Sequence, residues 1–206
     1  MFIKINEKQL TLFEDKTLED DQDYQNVLID SINFSSIKTK SNSFTKTLFR
    51  KVDFTGAVLT RLQLTDCRFE MCNFANTKFE NSAIQKTEFA QCRVTGLNIN
   101  GALIKTVSFR ECKGEYCQFR QLKCKGLEFH DCQLSFADFT ESSMPGAIFT
   151  GTDLNNSDFM NAYLKDSDFR TSIIDNVRIG IKELQDVIVD PNQALYLAGL
   201  LGIKIM

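Results

Sequence analysis

The chain has 206 residues and a formal net charge of −3; 43% of its residues are hydrophobic and 25% charged. That balance is ordinary for a globular protein and carries too much apolar surface for a disordered one. The longest uncharged apolar stretch, Leu195 to Ile203, has nine residues, well short of the roughly 20 that a membrane helix needs, so no membrane partner is expected.

Residues 1–23 do not repeat and are acidic, with seven Asp/Glu against three Lys. Phe2-Ile3-Lys4-Ile5 and Leu10-Thr11-Leu12-Phe13 read as short strands of an N-terminal cap. Lys4, Glu7 and Lys8 break the apolar run, which does not suit a secretion signal, and a cytoplasmic location is expected.

From Tyr24 to Ile179 every fifth residue is apolar or aromatic, with three exceptions among 32 positions: Thr39, Gly114 and Cys124. Fifteen of the 18 phenylalanines lie on this track. The residue two before each centre is small or slim, as at Cys67, Ala102, Ala137 and Ser157, and the other three positions are mostly polar. Neither the 3.6 period of a helix nor the 2 period of a flat strand produces this pattern. A second period is laid over the first. Phe49, Phe69, Phe89, Phe109, Phe129, Phe149 and Phe169 are spaced by 20, as are Cys72, Cys92, Cys112 and Cys132. Four pentapeptides per 20 residues make a four-sided coil. Stacked at about 4.8 Å, about eight coils give a solenoid roughly 37 Å long. Gly114 marks a local packing irregularity, with a surface dent as the alternative.

The stretches Ala137-Asp138-Phe139-Thr140-Glu141, Thr152-Asp153-Leu154-Asn155-Asn156 and Ser157-Asp158-Phe159-Met160-Asn161 resemble the A-(D/N)-(L/F)-x-x signature of pentapeptide-repeat proteins. The resemblance covers about three-quarters of the chain. It implies an all-β solenoid, a right-handed quadrilateral β-helix, and says little about function.

Residues 180–206 form a C-terminal module. Asp190 suits a helix N-cap, Pro191 the first helical position, Gln193 a capping box and Gly202 the stop, which predicts a helix over Pro191–Leu201. That helix is apolar nearly all round. One face can cover the last coil; the second needs another partner. Leu195, Leu197, Ala198, Leu200, Leu201, Ile203 and Ile205 are the candidate dimer interface, with a thicker monomeric cap as the alternative. The segment looks like the C-terminal module of the Qnr and MfpA group of fluoroquinolone-resistance pentapeptide proteins, and this resemblance implies an end-to-end homodimer. The loops that many Qnr proteins project are missing, so the loop-free MfpA type matches better.

Charge is graded along the axis. Residues 24–125 hold 16 Lys/Arg and 8 Asp/Glu, whereas residues 126–179 hold 3 and 9. The resembling group implies mimicry of DNA on a type II topoisomerase (DNA gyrase or topoisomerase IV), with protection from fluoroquinolones or a toxin. At one charge per about 1.7 Å, a dimer of roughly 75 Å would need about 44 charges, which two chains at −3 do not approach. Only the acidic C-terminal part reaches about half of that density. Asp138, Glu141, Asp153, Asp158, Asp166, Asp168 and Asp175 are the candidate contacts. The competing reading makes aspartate before each centre a turn former.

Direct nucleic-acid binding is not expected, because Lys and Arg are interleaved with Glu and few surface aromatics are placed beside them. Six of the seven cysteines precede a centre by two and Cys124 is a centre, so all should point inward as small hydrophobes, without metal. The single histidine, His130, should face outward beside Asp131. No cofactor, phosphate loop or catalytic constellation is indicated, and a non-enzymatic binding protein is expected, with a generic interaction scaffold or an immunity protein as the alternative.

Overall fold

The computed structural model describes residues 5–200 and 202–204. The repeat winds into a parallel quadrilateral β-helix in which successive coils pair in register at an offset of 20, as in Phe49↔Phe69, Phe69↔Phe89 and Phe89↔Phe109. At 20 residues per coil, Tyr24 to Ile179 makes between seven and eight turns. Four faces result. The first carries Tyr24, Phe44 and Leu64 onward, and the second Ile29 and the phenylalanine series from Phe49 to Phe169. The third is centred on Phe34, Phe54, Phe74, Val94, Gly114, Leu134, Leu154 and Ile174, and the fourth runs from Thr39 to Ile179.

Each coil hydrogen-bonds to the coils on both sides. Asp53 donates its amide to the Ile32 carbonyl (3.0 Å) and Phe54 to the Asn73 carbonyl (2.7 Å). The backbone is thus satisfied by stacking, as a buried chain requires. The faces meet at corners formed by the residue two after each centre, which sits in the left-handed region: Asp66 at φ 53°, Asn76 at 55°, Thr106 at 55°. Between residues 63 and 130 the first and second faces run together as the strands Gln63–Glu70, Ala83–Ala90, Leu103–Arg110 and Lys123–His130.

The core is the stack of centres with the slim residues beside them. Phe69, Phe89 and Phe109 are at most 2% exposed. Their rings lie nearly parallel at 4.8 Å (Phe69–Phe89) and 4.6 Å (Phe89–Phe109). Thr39, a polar exception on the track, is buried and donates its hydroxyl to Asn42 Oδ1, while Asn42 Nδ2 donates to the Glu19 carbonyl (2.6 Å). This polar pair ties the first coil to the N-terminal cap.

In that cap Thr11–Leu12 is a strand paired with Val27–Leu28, an offset of 16 instead of 20. Phe13 and Leu18 are buried, and the Phe13 ring meets Tyr24 edge-on at 5.6 Å. Glu7–Gln9 is a short 3-10 turn behind Asn6, and Glu7 reaches Arg50 at 2.8 Å. Of the first expected strand, Phe2, Ile3 and Lys4 lie outside the described residues, and Ile5 is not in a strand.

The helix α1 spans Pro191–Leu200. The capping box forms as the sequence predicts: Asp190 Oδ1 accepts from the amides of Asn192 (2.9 Å) and Gln193 (3.0 Å), and Gln193 Oε1 accepts from the Asp190 amide (3.0 Å). Gly202, at φ 82°, donates to the Gly199 carbonyl and Ile203 donates to that of Ala198, both at 2.9 Å. These two bonds are a Schellman stop. Among the described residues no helix is long and apolar enough to cross a membrane.

Candidate partner-binding surfaces

The seven acidic candidates do not converge on one face. Asp153 and Asp175 flank centres of the third face, Asp138 and Asp158 of the fourth, and Asp168 of the second, while Glu141 and Asp166 occupy corners. Four of them close the turn that follows. Oδ1 of Asp138, Asp153, Asp158 and Asp168 accepts the amide two residues on, at 2.9–3.0 Å. In the basic half asparagine does the same, as does Asp53, which takes the Thr55 amide at 2.9 Å. Asn33 takes the Ser35 amide (2.8 Å), Asn73 that of Ala75 (3.1 Å) and Asn98 that of Asn100 (3.0 Å). The turn therefore needs the side-chain oxygen and not its charge.

Three of these aspartates face arginines. Asp168 lies 2.6 Å from Arg170, Asp158 2.7 Å from Arg178 and Asp138 3.6 Å from Arg120. The Arg170 hydrogen bonds hold the Asp168 carboxyl below the usual carboxylate range. Glu141, Asp153, Asp166 and Asp175 have no ion pair among the described residues. The local negative charge left over is smaller than composition alone implies, and it is distributed around the shaft.

The C-terminal module divides the second candidate set. Leu197 is buried and packs with Leu184, Val187 and Val189 over Phe159, Phe169 and Ile174. It therefore closes the core, which corrects its expected place in an interface. The cause is the helix phase, which aims position 197 at the open end of the last coil. Gln193 points the same way. Its buried Nε2 donates to the carbonyls of Phe169 (2.7 Å) and Ser172 (2.8 Å), so a single amide side chain caps both the helix and the coil. Glu183 acts similarly, accepting from the amides of Asn161 (3.1 Å) and Gly180 (3.0 Å). Neither second role was visible in the sequence, because both partners are set by the fold. Leu195, on the opposite side of the helix, is exposed, as are Leu200 and Ile203; Ala198 is half-buried, and Leu201 and Ile205 lie outside the described residues.

The cysteines line the core as expected. The thiols of Cys72, Cys92, Cys112 and Cys132 donate to the carbonyls of Phe49, Phe69, Phe89 and Phe109 at 3.4–3.6 Å. All seven are free, and only Cys124 is less than fully buried. Burial pushes Cys67, Cys117 and Cys124 up to about 12, far from a reactive thiolate. His130 is half-buried on the second face and its Nε2 lies 2.9 Å from Glu128 Oε2, so its partner is Glu128 and not the neighbouring Asp131. Among the described residues no three metal-ligating side chains converge.

Two family profiles match the chain: a pentapeptide repeat region over residues 62–139, and eight-copy pentapeptide repeats over residues 42–70 and 115–170. An uncharacterised Bacillus subtilis protein, YisX, is 41% identical over 71 residues, which is 34% of either chain. The chain thus matches about a third of that relative's length. Among solved structures, a trypsin-treated form of QnrB1, a plasmid-mediated fluoroquinolone resistance protein, superimposes with a TM-score of 0.65. It is 20% identical, and the match covers 91% of this chain and 99% of that one. At that identity the likeness is one of fold.

Proposed function

For a chain that belongs to the pentapeptide-repeat family, we propose a non-enzymatic role as a homodimer that occupies the DNA-binding surface of a type II topoisomerase such as gyrase and shields the enzyme from fluoroquinolones or a toxin. One observation carries this reading. The turns of the acidic half use aspartate at Asp138, Asp153, Asp158 and Asp168, whereas those of the basic half use asparagine at Asn33, Asn73 and Asn98 and aspartate at Asp53 alone. Turn formation needs only the side-chain oxygen at these four positions; an electropositive partner would account for their charge. The shared fold with QnrB1 supports the same reading, as do the exposed apolar side chains Leu195, Leu200 and Ile203 at the acidic end. Exposed apolar side chains on a solenoid end suit a two-fold contact with a second copy.

The second reading is a scaffold that docks another protein on its flat faces. The pairing of Asp138, Asp158 and Asp168 with arginines favours it, because paired carboxylates attract a distant cation less. A gyrase supercoiling assay with and without ciprofloxacin, at two salt concentrations, separates the two. Inhibition or drug protection at micromolar protein, weakened by salt, supports topoisomerase binding. No effect in either arm overturns it and leaves the scaffold. An effect indifferent to salt retains the partner and removes the electrostatic mechanism.

A further inference from the structure

On the third face every centre is a buried apolar residue except Gly114. A Cβ added to Gly114 would lie 2.4 Å from the Val94 carbonyl carbon and 2.4 Å from the Thr95 nitrogen. The backbone has sunk into the space that a core side chain fills elsewhere, so no other residue fits. The surface above is correspondingly dented, with Arg93, Thr95, Glu115, Gln133 and Ser135 among the lining residues.

Glu115 and Ser135 each precede an aromatic residue at the adjoining corner. Tyr116 and Phe136 hold φ of 59° and 60°, in the left-handed region. The other residues of that corner column are Ser36, Gly56, Asn76, Gly96, Asn156 and Asn176, all small and mostly types that accept the conformation readily. Large rings accept it poorly. Here they gain little burial in return: Tyr116 is 57% and Phe136 44% exposed. Their rings stack on each other at 5.1 Å and 20°, so each keeps its edge and one outer face. Many non-glycine corners of the solenoid share this conformation, but among the described residues only Tyr116 and Phe136 place an aromatic ring there.

From these observations we propose that the dent at Gly114 and the Tyr116–Phe136 pair form a docking site for a partner protein that inserts an arginine side chain. Charge selects the occupant. The lining holds Arg93 and Lys113 against Glu111, Glu115 and Asp153, a net charge of −1. Glu115 has no ion pair among the described residues. A guanidinium stacks flat on an exposed ring and forks onto a neighbouring carboxylate, whereas an ammonium offers no plane to stack. A nucleic-acid strand would also stack, but it would bring its phosphates to a negative lining. The site shares Asp153 with the acidic candidates, but it does not depend on topoisomerase binding.

The test uses the full chain with labelled Tyr and Phe rings, observed by NMR. Titration with N-acetyl-arginine amide should shift the Tyr116 and Phe136 ring resonances saturably. N-acetyl-lysine amide at equal ionic strength, and the Glu115→Gln variant with the arginine probe, should each give a response at least about threefold smaller. No saturable response, an equal response to lysine, or a larger response to oligo-dT overturns the proposal. A Tyr116→Asn/Phe136→Asn double variant provides an independent readout. It should melt at or above the parent temperature, since asparagine suits the corner; a fall of several degrees would make the rings structural and end the proposal.

Discussion

The Phe109 ring lies between Phe89, at 4.6 Å and 5°, and Phe129, at 5.0 Å and 16°. Its neighbours belong to coils held by their own ladders, so they cannot collapse into the space it would leave. Phe109→Ala should therefore cost about 3–5 kcal/mol in denaturant unfolding, the range for a cavity at a rigid site. A loss under about 1 kcal/mol would contradict the stacking register. Asp168 tests the turns. Its carboxyl is held low by the hydrogen bonds from Arg170. A depressed folded-state pKa contributes stability above the unfolded value, near 3.9, and that stability is lost as pH falls through the lower folded value. With the Arg170 side chain 58% exposed, solvent screening keeps the contribution small. In Arg170→Ala the Asp168 carboxyl, followed by NMR, should titrate closer to about 3.9. An unchanged midpoint would mean that the backbone amide, and not the guanidinium, sets it.

At the level of the element, the C-terminal helix is fastened to the last coil by its own capping residue, Gln193. Asp190→Ala removes a helix cap and should cost about 1 kcal/mol. Gln193→Ala removes the reciprocal cap and also leaves the buried carbonyls of Phe169 and Ser172 without their donor. It should cost more than Asp190→Ala by about 1–3 kcal/mol, the penalty for stranding buried polar groups. Hydrogen exchange in the last coil should rise in Gln193→Ala and not in Asp190→Ala. Equal effects of the two substitutions would reduce Gln193 to an ordinary capping box. The N-terminal cap works by a different device, an offset of 16 that lets Phe13 and Leu18 plug the first coil.

For the whole molecule, a solenoid must cover both ends or associate through them. The N-terminal end is covered by Phe13 and Leu18. The C-terminal end is covered on its inner side by Leu197, while Leu195, Leu200 and Ile203 remain in solvent. An end-to-end dimer would remove these side chains from water. Wild type should run as a dimer by light scattering, and Leu195→Asp/Leu200→Asp as a folded monomer with an unchanged circular dichroism spectrum. A monomeric wild type would remove the dimer and leave these side chains as the outside of a thick cap.

The period of five decided the coil, the inward cysteines and the phenylalanine stack before any coordinates, because each coil repeats one local rule and the next coil supplies the same neighbours. The helix caps were equally legible, since Asp190, Gln193 and Gly202 act on backbone within a few residues of themselves. What depends on neighbours 20 residues away or at the ends of the stack was not. The pairing of Asp158 with Arg178, the second bonds of Gln193 and Glu183, and the inward turn of Leu197 follow from how coils and helix meet. The sequence marked seven acids as one candidate surface because it orders them along a line. The coil winds that line around four faces, and only the winding decides which charges share a side.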